Sequence, residues 1–183
     1  MDEKIFALYD KQSIRVYQAY NDVIADEALK NGQFGESFRL NRMTWIKPSF
    51  LWMMYRSGWG TKENQNRVLA IDMSRLGFDY IVRNAVLSSF NAEIYETYKQ
   101  WKEMLGKTDI RCQWDPDRDI YGNPLKRRTI QLGVKGETLK SYTSNWILHI
   151  TDITQKVKKL KDVIMSKTYI TDMLPFETEY IVK

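Results

Sequence analysis

Asp109-Ile110-Arg111-Cys112-Gln113-Trp114-Asp115 alternates apolar and polar residues, and after a turn-rich stretch Arg128-Thr129-Ile130-Gln131-Leu132-Gly133-Val134 does so again. Successive side chains of a strand point to opposite faces. Ile110, Cys112 and Trp114 therefore share one face, and Arg111, Gln113 and Asp115 the other. In the second run Ile130, Leu132 and Val134 oppose Thr129, Gln131 and Gly133. The residues between, Asp115 to Pro124, carry Asp-Pro and Gly-Asn-Pro, which are turn chemistry.

Working outward, helices and strands mix without regular alternation. Upstream, Asn91 is expected to cap a helix with Ile94, Tyr98, Trp101 and Leu105 at helical spacing, closed by Gly106. Phe78, Ile81, Val82, Ala85 and Val86 form one face of an earlier helix, and Arg67 to Met73 reads as a buried strand. Thr44 to Arg56 contains Pro48, which suits a first helical turn, followed by an apolar run over 50–55 that predicts a helix buried on most sides. Gly58 and Gly60 break it. Gln33 to Met43 is a polar loop. Asn21 caps a helix that Gly32 ends, after a strand from Ile14 to Tyr20. Downstream, a short helix over Glu137–Tyr142 leads to a strand over Trp146–Thr151. Thr151 or Asp152 then caps a last helix with Ile153, Val157, Leu160 and Ile164 inward. Its Lys156, Lys158, Lys159 and Lys161 read as a solvated face. This order predicts an α+β fold: one curved, mostly antiparallel sheet of at least four strands with helices packed around it, in a single domain over residues 1–183.

Composition sets outer limits. Of 183 residues, 43% are hydrophobic, enough for a core, and 28% are charged. No apolar run approaches the roughly 18 residues of a membrane span. The start, MDEKIFALYDKQ, has no apolar h-region. The single Cys112 has no partner for an internal disulfide and reads as a buried thiol. A cytoplasmic, reducing location is expected. The net charge of +5 leans toward anionic partners such as a nucleotide or RNA. Aromatic residues make up 13% of the chain, and they either stack on bases or fill the core.

Common chemical motifs are absent. There is no GxxxxGK[ST], GxGxxG, HExxH, CxxC or Lys-x-Asp-Gly. One His and one Cys exclude a His/Cys zinc site within the chain. A Ser-His-Asp system would need His149, which sits mid-strand, where a structural role is expected. Asp72 ends a buried strand, a position open to catalysis or to helix capping.

The remaining polar candidates fall in three groups. Arg15 and Tyr17 share a strand face near the start, and an Arg on a covered sheet needs an anion or hydrogen-bonding partner. Arg111, Gln113, Asp115 and Gln131 form polar faces that, if they meet, hold phosphates and orient a sugar or base. The alternative is a wet sheet surface. The third group is Arg42 to Arg56. Lys47 and Ser49 flank Pro48 at a helix start, where free N–H groups favour an anion. Arg42 and Arg56 add charge and Trp45 a stacking surface, while a desolvated Lys47 would be a nucleophile. The alternative there is a plain buried helix start with a solvated lysine. Asp115, Asp117 and Asp119 are weak candidates for Mg²⁺, against an acidic turn.

Four segments carry a resemblance: Ile14 to Tyr20 (IRVYQAY), Arg42 to Trp59 (RMTWIKPSFLWMMYRSGW), Gln113 to Asp119 (QWDPDRD) and Arg128 to Gly133 (RTIQLG). Together they resemble the domain-of-unknown-function family numbered 4291, a bacterial and fungal family, over nearly the whole chain. That resemblance carries no activity or catalytic residue with it. The strand Arg-x-Tyr with its aromatics and amides is also loosely similar to ADP-ribosyltransferase-like folds, which bind NAD in a cleft of a split sheet. That superfamily's catalytic glutamate has no counterpart we can place here. The expected functions are an enzyme transferring a group on NAD, a nucleotide or an RNA end; an RNA ligase or nucleotidyltransferase using Lys47, with ATP and Mg²⁺; a non-catalytic RNA-binding module; or an interaction domain whose aromatics are all core. Lys47, Gln131 and Asp115 are the catalytic candidates.

Overall fold

In the computed structural model, which describes residues 3–169 and 171–183, the chain opens with β1 (Phe6–Ala7), β2 (Ser13–Tyr20), α1 (Asp22–Asn31), β3 (Thr44–Ile46) and α2 (Phe50–Ser57). It continues through β4 (Arg67–Ser74), α3 (Arg75–Arg83), β5 (Val86–Leu87), α4 (Tyr98–Lys107), β6 (Ile110–Arg118) and β7 (Pro124–Val134). It ends with α5 (Gly136–Ser141), β8 (Ile147–Asp152), α6 (Thr154–Met165) and β9 (Thr178–Glu179).

The α+β class is as expected, but the strands form three sheets among the described residues, not one. They are β1-β9, β2-β4-β8 and β3-β7-β6-β5, and every pairing is antiparallel except β5 with β6. The split has a clear cause. β4 is apolar at consecutive positions, so both its faces must be covered. Leu69, Ile71 and Met73 face a core shared with Ile46, Ile110, Ile130, Leu132 and Val134 of the four-stranded sheet. Val68 and Ala70 face a second core under α2 and α6, with Phe50, Met53, Met54, Val157 and Leu160. A single sheet cannot serve as its own cover, so the alternating hairpin β6–β7 lies against the first face as a separate layer.

Local signals account for most helix ends. The Asn21 side chain accepts the Ile24 N–H, and Ser49 accepts that of Trp52. Gly58 closes α2 at φ 59°, a left-handed conformation that glycine adopts without strain. Four expectations need correction. Pro48 stands just before the Ser49 cap, not inside the first turn. Asn91 only folds a turn, its side chain accepting the Glu93 N–H and its carbonyl those of Ile94 and Tyr95, and α4 begins at Tyr98 under a Thr97 cap, leaving Ile94 exposed. Val86 is a strand residue paired with Arg111, not part of α3. β6 runs on to Arg118, so the turn shrinks to the residues around Asp119–Asn123. In α6, Lys156, Lys158 and Lys159 are exposed, as expected of a solvated face, while Lys161 is half-buried. Cys112 is a buried free thiol, and burial pushes its pKa up to about 11. His149 is exposed on β8, not held within the structure. Among the described residues no helix is long and apolar enough to cross a membrane.

Candidate functional site

A cleft of about 730 Å³ opens where β2 enters α1, the 33–43 loop enters β3 and the loop after α2 approaches β4. That is the size of a small-ligand pocket. Gln18, Arg39, Arg42, Trp45, Lys47 and Glu63 are among its lining residues. Cations outnumber carboxylates there, which favours an anionic occupant.

Trp45 is placed by its cross-strand partner Gly133. A methyl group at Gly133 would lie 2.6 Å from Met43 Sδ and 3.0 Å from the Trp45 ring, so the indole lies flat on the strand only because position 133 has no side chain. Gln18 sits buried on an otherwise apolar strand face. Its Nε2 donates to Tyr20 Oη (2.7 Å) and Thr44 Oγ1 (2.8 Å), and its Oε1 accepts from Tyr142 Oη (2.8 Å).

Lys47 follows β3 directly. Its carbonyl accepts the Tyr17 N–H at 2.8 Å, which fixes its backbone. Its side chain is 7% exposed, and its Nζ has only a long 3.5 Å approach to the Trp45 carbonyl. No ion pair among the described residues includes it. Burial, helped by the nearby charge of Arg56 and opposed by that of Asp115, lowers its pKa from 10.5 to about 8. A buried amine without a carboxylate partner is unusual, and it is the form in which lysine becomes a nucleophile or base near neutral pH.

Asp115 is held from two sides. Gln113 Nε2 donates to Oδ1 at 2.9 Å and Gln131 Nε2 to Oδ2 at 2.7 Å. The two polar strand faces therefore do meet, since Gln113 pairs with Gln131 and Asp115 with Thr129 across the hairpin. The Thr129 hydroxyl is buried without a partner.

The other candidates lie elsewhere. Arg15 makes a two-pronged pair with Asp72 (2.8 and 2.7 Å), so its charge is answered within the sheet and Asp72 is no helix cap. Tyr17 is 1% exposed with an unpartnered hydroxyl, and burial raises its pKa well above the usual phenol value. Arg111 reaches back to the Leu105 carbonyl, away from the cleft. Arg56 lies over the Trp52 ring at 6.0 Å. Ser49 Oγ donates to Asp117 at 3.1 Å, and Asp117 pairs with Arg127 at 2.8 Å. Asp119 folds its own turn through the Tyr121 and Asn123 N–H groups. The three aspartates thus serve three separate sets of partners. Among the described residues no group of His, Cys, Asp or Glu gathers to hold a metal. The start of α2 is already occupied by a side chain of the chain itself: Glu177 accepts the Phe50 N–H at 2.7 Å.

Lys47, Arg42 and Trp45 therefore line one cleft, Asp115, bonded to Gln131, is near enough for its charge to act on Lys47, and Arg15, Ser49 and Arg111 lie apart. Sequence reading missed Gln18, Arg39, Glu63 and Glu177. Gln18 had a signal, a polar residue between Val16 and Tyr20 on an apolar face. Glu177 had none, since its partner Phe50 is 127 residues away.

No curated protein matches this chain. The family described as Domain of unknown function (DUF4291) matches residues 4–180, nearly the full length, and the chain belongs to that family.

Proposed function

We propose that the chain is a transferase acting on a phosphate-containing substrate (NAD, a nucleotide or an RNA end) bound in the Lys47 cleft. One observation carries the reading: a buried lysine, unpaired among the described residues, in the wall of a cationic cleft beside a half-buried tryptophan. With a pKa of about 8, roughly a tenth of the amine is neutral at pH 7, ready to attack.

In the nucleotidyl-transfer version the neutral Nζ attacks the α-phosphorus of a nucleoside triphosphate. The P–N bond forms, the α–β P–O bond breaks, pyrophosphate leaves with the electron pair, and the amine proton passes to water. Arg39 and Arg42 offset the charge of the phosphates, and Trp45 stacks on the base. Mg²⁺ would arrive with the phosphates. Asp115, clamped by Gln113 and Gln131, orients the amine electrostatically. The NAD version, by likeness to ADP-ribosyltransferase-like folds, draws support from the two larger sheets meeting at one bridge beside this cleft, with Glu63 as the carboxylate in its wall.

A thermal-shift screen against NAD, ATP, GTP and short RNAs, with and without Mg²⁺, tests this first. We expect a nucleotide to raise the melting temperature. Intact-mass measurement should then find a nucleotide adduct on wild type and none on a folded Lys47→Met variant. If no nucleotide or RNA shifts melting, the reading fails. If RNA alone binds, with affinity falling steeply with salt and spread over Lys156, Lys158 and Lys159, the non-catalytic RNA-binding module replaces it.

A further inference from the structure

The last residues form a strap between the two cores. Leu174 packs with the Phe50–Met53 cluster, and Tyr180 is buried against Phe78, its hydroxyl donating to Asp79 at 2.7 Å. Between these anchors Glu177 turns inward to accept the Phe50 N–H. The charged and titratable groups near enough to act on it come from each neighbouring element. From β6 comes Asp117, 1% exposed, already bonded to Ser49 Oγ and the Arg118 N–H. From β7 comes Arg127, whose Nε and Nη2 both engage Asp117 at 2.8 Å. From β2 comes the unpartnered Tyr17 hydroxyl, with the Arg15–Asp72 pair on the same strand face. Ser49 and Phe50 are consecutive, so the two carboxyls they bind stand side by side at the start of α2, and the Arg127 guanidinium is committed to Asp117. Keeping both ionised in that setting is unfavourable.

We propose that Glu177 is a proton-operated latch: protonated, it holds the strap against the start of α2, and ionised, it lets the strap go. Lys47, Pro48, Ser49 and Phe50 are consecutive, so release would loosen the backbone that presents Lys47. The latch stands whether or not the cleft binds a nucleotide.

The electrostatics run in the same direction. Burial raises the Glu177 pKa, the Phe50 N–H lowers it, and Asp117 raises it further, to about 8 against an ordinary 4.5. Between those values the docked strap carries a proton that a released strap does not. Docking is therefore tightest below about 4.5, weakens roughly tenfold per pH unit as pH rises toward 8, and changes no further above it.

The test is carboxyl ¹³C NMR of the full chain, together with exchange of the Phe50 amide between pH 6 and 8.5. We expect Glu177 to titrate near neutral pH. Phe50 protection, corrected for intrinsic exchange, should fall roughly tenfold per unit in wild type up to about pH 8 and level off above it. A Glu177→Gln variant, which keeps the acceptor but not the proton, should stay protected at every pH. Titration of Glu177 near 4.5, a flat wild-type profile, or the same fall in Glu177→Gln would each overturn the latch. If the variant does not fold, the wild-type titration alone decides.

Discussion

The Tyr17 N–H donates to the Lys47 carbonyl at 2.8 Å, and this is the one β-bridge among the described residues that joins the three-stranded sheet to the four-stranded sheet. It holds the lysine's main chain rigidly where the two layers part. The gap beside it is the cleft, and the side chain that borders the gap has been stripped of water.

That desolvation should appear in stability. Lys47 has a folded pKa of about 8 and an unfolded value near 10.5. Between these the unfolded chain binds the extra proton, so stability rises with pH through that window, while below about 8 the full penalty of a buried charge applies. Lys47→Met should therefore be more stable than wild type by about 1–3 kcal/mol at pH 7 in urea unfolding, and should lose the rise above pH 8. Equal or lower stability at pH 7 would contradict the buried, unpaired amine.

Arg15 and Asp72 should behave in the opposite way. They are directly opposed on β2 and β4, with side chains 28% and 21% exposed. Arg15→Met and Asp72→Leu should each cost about 2 kcal/mol, because each leaves a half-buried charge alone. The double variant should cost less than their sum by at least about 1 kcal/mol. Simple additivity would mean that the pair contributes nothing in solution.

Gly133→Ala probes the seat of Trp45. The new methyl must displace Met43 and tilt the indole. We expect a loss of about 1–2 kcal/mol in thermal unfolding and a shifted Trp45 indole N–H signal. An unshifted signal with unchanged melting would mean the ring does not rest on the strand.

The candidate site is legible in the sequence where one period governs it. Strict alternation over residues 109–115 and 128–134 places Gln113, Asp115 and Gln131 together, and they form one clamp. The same reasoning puts Arg15 on a covered face, but the anion it needs is Asp72, which lies 57 residues on. Pairing between distant segments leaves no local trace, so the Glu177 contact and the three-way division of the strands could not be read. The Asn91 helix failed for another reason. Ile94 and Tyr98 have helical spacing, but the Thr97 cap starts α4 between them, Tyr98 rests only on Phe90 and Trp101, and both end exposed.

The small β1–β9 ladder also dictates an order of assembly. Phe6 pairs with Glu179, and Tyr180 N–H reaches the Ile5 carbonyl at 2.7 Å. Closing so large a ring of chain carries an entropic cost on the order of 4–5 kcal/mol, more than a two-residue ladder returns. These strands should therefore come together last in refolding, after both cores exist, and Tyr180 is the late keystone that shuts the first of them.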